Sequence, residues 1–183
     1  MAAAAELFDE HGFHGTSLQE VAEAAGISKA AIYHHFRTKD EILVEILRTL
    51  MDRVLDRHRD RHRNDDRPAL EMLRGMIGDL MEVVEQHPAH LRVVLEQVRH
   101  LPADLQDELA EGRRRFQTEI RDILEIGTAT GEFTVEDDPS LVAAAILGAC
   151  WAYFWHPPQN SFRAQNLADV VTRLVLQGLQ PRT

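Results

Sequence analysis

Apolar residues recur at three- and four-residue spacing along almost the whole chain and strict alternation is scarce, so the pattern predicts helices and no sheet. The first helix runs from the opening alanines through Leu7 and Phe8 and stops near His11-Gly12, glycine being the expected terminator. Gly12-Phe13-His14-Gly15 reads as a turn. Ser17-x-x-Glu20 is a capping box, with Thr16-x-x-Gln19 overlapping it, and Leu18, Val21, Ala22 and Ala25 then line one face of a second helix. Ala25-Gly26-Ile27-Ser28 breaks that helix, and Ser28 caps a third that reaches Phe36. Thr38-x-x-Glu41, another capping box, opens a long helix carrying Ile42, Ile46, Leu50 and Val54 towards the arginine-rich stretch Arg57–Arg63.

Asp66-Arg67-Pro68 starts a helix lined by Leu73, Ile77, Leu80 and Val84, which His87-Pro88 ends because the residue before proline disfavours helix. A shorter helix follows to His100. Leu101-Pro102 opens another long one ending at Thr130-Gly131. Asp138-Pro139 opens an apolar helix through Trp155, Pro157-Pro158 ends it, and Ser161 caps the last, to Gly178. The expected fold is all-α, with about nine helices. The natural boundary divides a three-helix head, residues 1–45, from a helical body, residues 46–183, and the fourth helix is the expected long connection between them.

Composition narrows the class. A hydrophobic fraction of 44% and a charged fraction of 27% describe an ordinary soluble globular protein. The single cysteine, Cys150, excludes an internal disulfide framework and fits a reducing cytosol. Met1–Ala5 feeds a helix rather than a secretion leader, so a cytoplasmic location is expected. The uncharged run Leu141–Trp155 spans fifteen residues, short of the roughly 20 that cross a bilayer. It reads as a buried helix, with no membrane partner. There is no glycine-rich phosphate loop, nucleophile elbow or HExxH motif, so no enzyme is expected. His58 and His62 have the i, i+4 spacing of a metal pair but no third ligand beside them, and neither a metal nor a cofactor is expected.

Two short helices joined by Ala-Gly-Ile-Ser, with small residues where they cross, satisfy the geometry of a helix-turn-helix, whose second helix enters the major groove of DNA. The net charge of −10 is unusual for such a module, and residues 1–46 carry three basic against eight acidic residues. Lys29, Arg37 and Lys39 nevertheless cluster with His34 and His35, a local patch able to meet phosphates. The order Leu7-Phe8, Gly12-Phe13, Thr16-Ser17, Val21-Ala22, Ala25-Gly26-Ile27-Ser28-Lys29-Ala30-Ala31-Ile32-Tyr33-His34-His35-Phe36 and Lys39-Asp40-Glu41-Ile42-Leu43 closely resembles the DNA-binding domain of the TetR family.

The resemblance implies a transcriptional repressor on double-stranded operator DNA. Thr16 and Ser17 offer hydroxyls and helix-start amides to a phosphate, and Ser28 and Lys29 lead the recognition helix. Tyr33 and His34 stand where the family contacts phosphates, and Lys39 is a point charge beside the duplex. Ala30 lies on the groove-facing helix, where it and Ala31 leave few side chains to read bases. Val21, Ile27, Ile32 and Phe36 are expected in the core. Family members begin about ten residues earlier with a basic arm, so the resemblance implies a misassigned start, a truncated segment, or an affinity reduced by missing phosphate contacts. The alternative is a helical dimeric binding module for another apolar ligand, with weakened DNA binding.

In the body, Gly131-Glu132-Phe133, Asp138-Pro139, Ala145-Ile146-Leu147-Gly148 with Trp151 and Trp155, and Leu174-Val175-Leu176 with Gly178-Leu179 look like the FadR-like subgroup. That likeness implies response to an acyl-CoA of fatty-acid or steroid catabolism. Phe154 stands where members often carry a basic residue, which leaves the exact ligand open. Met72, Met76, Phe116, Trp151 and Trp155 are the candidate ligand-binding residues, since methionine and aromatics adapt to an apolar guest. Plain core is the competing reading. Arg57–Arg63 and Arg113-Arg114-Arg115 are either solvated helix faces or a grip for a CoA phosphate. The Leu141–Trp155 helix is apolar all round, and Leu167, Val170, Val171, Leu174 and Val175 stripe the last helix, so a homodimer through these two helices is expected.

Overall fold

The structure, a computed structural model, describes residues 1–62, 67–155 and 164–179. Among these residues there are nine α-helices and no strand. They are α1 (Ala2–His11), α2 (Leu18–Ala24), α3 (Lys29–His35), α4 (Lys39–His62), α5 (Ala69–Gln86), α6 (Pro88–Gln97), α7 (Ala103–Ala129), α8 (Pro139–Trp155) and α9 (Ala164–Leu179). A 3₁₀ turn, Val98–His100, follows α6. The fold is the all-α one the periodicity predicts. The expected helix start at Asp66, the Pro157-Pro158 stop and the Ser161 cap lie outside the described residues, as do the side chains of His62 and Trp155.

The chain forms two compact units, Met1–Leu50 with His87–Gly112, and Met51–Gln86 with Arg113–Thr183. It passes between them three times: within α4, after Gln86, and within α7. The expectation that α4 alone provides a long connection is therefore incomplete, because α7 also contributes to both units.

In the first unit α1 buries Ala4, Ala5 and Phe8, and Phe8 meets Phe13 edge to face at 5.1 Å. Gly12 ends the helix at φ 78°, a backbone state that costs glycine little. Pro88 begins α6 as well as stopping α5, with His87 as its N-cap residue. Leu91, Val93 and Val94 of α6 are buried, α6 packs on α1, and Arg92 reaches Asp9 of α1 at 3.0 Å.

In the second unit α5 buries Leu73, Met76, Ile77, Leu80, Met81, Val83 and Val84 and packs mainly against α9. At the end of α7 the chain turns at Gly131, φ 78°, and the Phe133 amide bonds the Gly127 carbonyl at 2.9 Å. The Phe133 ring occupies the space beside Gly127, where a Cβ would fall 2.2 Å from its Cδ2. Cys150 is buried on α8, and desolvation pushes its thiol up to about 12.

The orphan amides at the start of α5 are closed from a distant part of the chain. Ala69 and Leu70 donate to the two carboxylate oxygens of Glu132 at 3.1 and 3.2 Å, and Thr130 donates to the same group at 3.0 Å. The hydrogen bond from Ala69, then that from Leu70, holds the Glu132 carboxyl below the usual glutamate range. A lowered folded-state pKa adds stability that is present above the unfolded-state value and fades as pH falls through the folded-state one. Glu132→Gln should therefore lower stability to urea at neutral pH, and its deficit against the wild-type protein should shrink on titration into acid. A deficit that does not change with pH would show that the carboxylate charge does not matter there.

Candidate nucleic-acid interface

Helix α2 is only seven residues long, so its ends decide whether it forms. The Ser17 amide donates to Glu20 Oε2 at 2.7 Å, and the Glu20 amide donates to Ser17 Oγ at 3.2 Å, the capping box read from the sequence. Hydrogen bonding of the Glu20 carboxylate to the Ser17 side chain first, and to the Ser17 amide second, holds it below the usual glutamate range. Leu18, Val21 and Ala22 face inward. At Gly26, φ 68°, the chain reverses, with the Ile27 amide bonded to the Ala22 carbonyl at 3.0 Å. Ser28 caps α3 by accepting from the Ala31 amide at 3.1 Å.

Helix α3, also seven residues, buries Ile32 against the rest of the unit and leaves Lys29, Ala30, Tyr33, His34 and His35 exposed. Ile27, expected in the core, is 44% exposed. It sits in the turn itself, and Val21, Ala22 and Ile32 fill the inner side of the pair. Phe36 is half-buried. Thr38 caps α4 by accepting from the Glu41 amide at 3.2 Å, but the Glu41 carboxylate reaches back to the Arg37 amide, one residue before the cap.

The sequence-predicted residues fall into two groups. Ser17, Ser28, Lys29, Ala30, Tyr33 and His34 are exposed, and the Ser28 hydroxyl still holds a proton to donate while it accepts from the Ala31 amide. Tyr33 is 47% exposed. The Lys29 ammonium donates to Gln19 Oε1 at 3.2 Å and lies 5.9 Å from the Tyr33 ring centroid, a cation–π placement that orients both side chains. Gln19 in turn donates to Glu23 at 3.0 Å. Sequence reasoning placed Gln19 only in the overlapping Thr16-x-x-Gln19 capping box and missed its contact with Lys29.

Thr16 and Lys39 behave differently. Thr16 is only 3% exposed, and its hydroxyl lies 3.0 Å from the Gly12 carbonyl and 3.3 Å from that of Leu7. Lys39 is half-buried and donates to the carbonyls of Phe13 and His14.

This capped helix-turn-helix lies in a chain matched by two family models. Residues 1–46 match "Bacterial regulatory proteins, tetR family", and residues 66–179 match "Tetracyclin repressor-like, C-terminal domain". The chain belongs to the TetR family. It is 30% identical over 178 residues to the HTH-type transcriptional repressor KstR2 of Mycobacterium tuberculosis, covering 96% of this chain and 88% of that protein. The structure of that ketosteroid transcriptional regulator superposes with a TM-score of 0.76 at 27% identity, covering 99% and 93%. The TetR-family regulator PfmR of Thermus thermophilus gives a TM-score of 0.78 at 30% identity, covering 98% and 97%. FadR of Bacillus subtilis, solved with stearoyl-CoA, shares the fold with a TM-score of 0.83 at 22% identity, covering 97% and 96%. The chain is accordingly a TetR-family transcriptional regulator.

In the body of this TetR-family chain, Met76 and Phe116 are fully buried, Met72 and Trp151 are half-buried, and the Trp155 side chain lies outside the described residues. An open groove of about 410 Å³ runs between α8 and α9. Val142, Ala145, Ile146, Leu174 and Val175 line it with Glu136 and Asp137, and none of Met72, Met76, Phe116 or Trp151 does. Three arginines of these stretches are tied to carboxylates: Arg57 to Glu82 at 3.0 Å, Arg59 to Glu119 at 2.6 Å and Arg115 to Asp52 at 3.5 Å. Among the described residues no helix is long and apolar enough to cross a membrane.

The two helices expected at a dimer contact are not covered evenly. Ala143, Ile146, Leu147 and Cys150 of α8 are buried, whereas Leu141 is 64% exposed and Ala145 and Gly148 follow it outward at i+4 and i+7. On α9, Val170 and Leu174 are exposed, Leu174 at 62%. Val171, read from the sequence as part of the same stripe, is buried, because α9 also packs on α5.

Proposed function

We propose that this chain is a repressor. Residues 1–45 hold double-stranded operator DNA, and residues 46–183 form a homodimer and receive a small hydrophobic effector. It acts by binding rather than by catalysis, in the cytoplasm. The observation that carries the DNA reading is the outward row Ser28, Lys29, Ala30, Tyr33 and His34 on a capped α3. A cation beside a phenol suits phosphate contact, and the small Ala30 permits close approach to base edges. Ser17 stands with this group, and Thr16 and Lys39 support it from behind. Lys29→Ala should weaken binding to the promoter region of the protein's own gene and reduce the slope of log affinity against log salt by about one. An unchanged affinity and slope, measured by mobility shift or anisotropy, would remove Lys29 from the interface.

The uncovered apolar positions on α8 and α9 support the homodimer. A second copy presenting the same stripe would bury Leu141, Ala145, Gly148, Val170 and Leu174, in the self-complementary manner of a two-fold contact. Two heads would then address two half-sites of one operator. Leu141→Asp with Leu174→Asp should give a folded monomer by light scattering at micromolar concentration, because both positions are exposed in the single chain and carry none of its core. A wild-type monomer at that concentration would refute this contact.

The effector reading is an acyl-CoA of fatty-acid or steroid catabolism. Its support is the likeness to the ketosteroid regulator KstR2 together with the adaptable residues Met72, Met76, Phe116, Trp151 and Trp155 in the body. The effector must bind the DNA-incompetent state better than the competent one, and a tenfold preference is worth about 1.4 kcal/mol per site. Fatty-acyl and steroid-derived CoA thioesters should quench the fluorescence of the two tryptophans and lower operator affinity. If no thioester does either, this effector class is wrong.

A further inference from the structure

The lysine that opens α4 does not point out as a loose surface cation. Lys39 is half-buried, and its Nζ lies 2.6 Å from the Phe13 carbonyl oxygen and 3.3 Å from that of His14. The same ammonium sits 4.8 Å from the centroid of the Phe13 ring. An ammonium has three protons to donate. Two directions end on backbone carbonyls and a third side is covered by an aromatic face. Hydrogen bonds from a charged donor are roughly twice as strong as neutral ones, so this arrangement has the character of a tie rather than a passing contact.

The segment it holds is the α1–α2 turn, and that turn is tightly built. Gly12 takes φ 78°, and a Cβ on Gly15 would fall 2.7 Å from the His11 carbonyl oxygen. The buried Thr16 hydroxyl closes the turn on the Gly12 and Leu7 carbonyls. The single Thr16 hydroxyl proton, shared between the Gly12 and Leu7 carbonyls, and the Lys39 ammonium, on those of Phe13 and His14, therefore tie the backbone of this turn. Immediately after Thr16, Ser17 starts α2, and two residues further on Gln19 steadies the Lys29 ammonium.

We infer that Lys39 is a positioning residue rather than a phosphate contact: it latches the first turn of α4 to the α1–α2 turn and thereby fixes where α2 presents Ser17 and Gln19. Any displacement of the α4 N-terminus is then passed to the helix-turn-helix through this latch, without a change in the DNA-facing side chains. The inference rests on the DNA-binding reading for its consequence, but its geometry stands without DNA.

Two substitutions test it. Lys39→Met keeps most of the apolar stem and removes donor and charge; Lys39→Gln, a milder change, keeps a neutral donor of shorter reach. Both should weaken operator binding, Lys39→Met by roughly tenfold, with a salt dependence parallel to that of the wild-type protein, because no phosphate loses its partner. Both should also speed amide hydrogen exchange at residues 12–17. Lys29→Ala serves as the contrast, flattening the salt slope and leaving that exchange unchanged. A flatter slope in the Lys39 variants, unchanged affinity, or unchanged exchange at residues 12–17 overturns the latch. If the wild-type protein binds no DNA, the repressor reading fails by itself, and the exchange measurement still decides whether Lys39 holds the turn.

Discussion

The first unit depends on closing the ends of helices too short to hold themselves, since isolated helices below about 12–15 residues are marginal in water. Helices α2 and α3 have seven residues each, so unbonded end groups make up most of their backbone. Ser17 with Glu20, and Ser28 with the Ala31 amide, supply the missing partners. Burial of Leu18, Val21, Ala22 and Ile32 supplies the rest. Each N-cap is worth about 1 kcal/mol, a large share of what so small an element can gain. The exposed face of α3 is thus open to function because Ile32 fills the opposite face and Ser28 closes the N-terminus.

Local devices of this kind were legible in the sequence because they act across three or four residues. The Ser17–Glu20 capping box, the Ser28 and Thr38 caps, the Gly26 reversal, the Pro88 and Pro139 boundaries and the uncharged α8 all follow from neighbours in the chain. What was not legible joins residues far apart. Glu132 caps α5 from 63 positions away, and Lys39 bonds carbonyls 25 and 26 positions earlier. Helix α6 reads as one more amphipathic segment, and nothing in its spacing announces that it packs on α1. The stripe on α9 shows the same limit. Periodicity groups Val170, Val171 and Leu174, but α5 takes Val171 and leaves the other two outward.

The body shows how burial and interface compete for the same residues. A helix as uniformly apolar as α8 gives no sequence signal for which side turns inward. The choice falls to its neighbours, which cover Ala143, Ile146, Leu147 and Cys150. The uncovered row contains one leucine, an alanine and a glycine, so its outward face is narrow and smooth. Leu174 on α9 adds a second exposed leucine. Apolar surface of that kind is stabilised by covering at roughly 25 cal/mol per Å², which favours association over solvent exposure.

Net charge bears on how such a module meets DNA. Three cations against eight carboxylates in residues 1–46 would repel a polyanion if every carboxylate stood toward it. Most are committed within the chain: Glu20 and Glu41 to backbone amides, Asp9 to Arg92, Glu45 to Arg48 and Glu23 to Gln19. Commitment does not cancel their charge, so the long-range field of the unit remains negative. Non-specific adhesion, which is almost wholly electrostatic, is correspondingly weak. Affinity must come from short-range contacts that need the right shape, and those contacts need α2 and α3 to be held in one arrangement. An acidic unit with few cations therefore relies on preorganisation more than a basic one does, and the latch inferred for Lys39 would serve recognition by that route rather than through a phosphate.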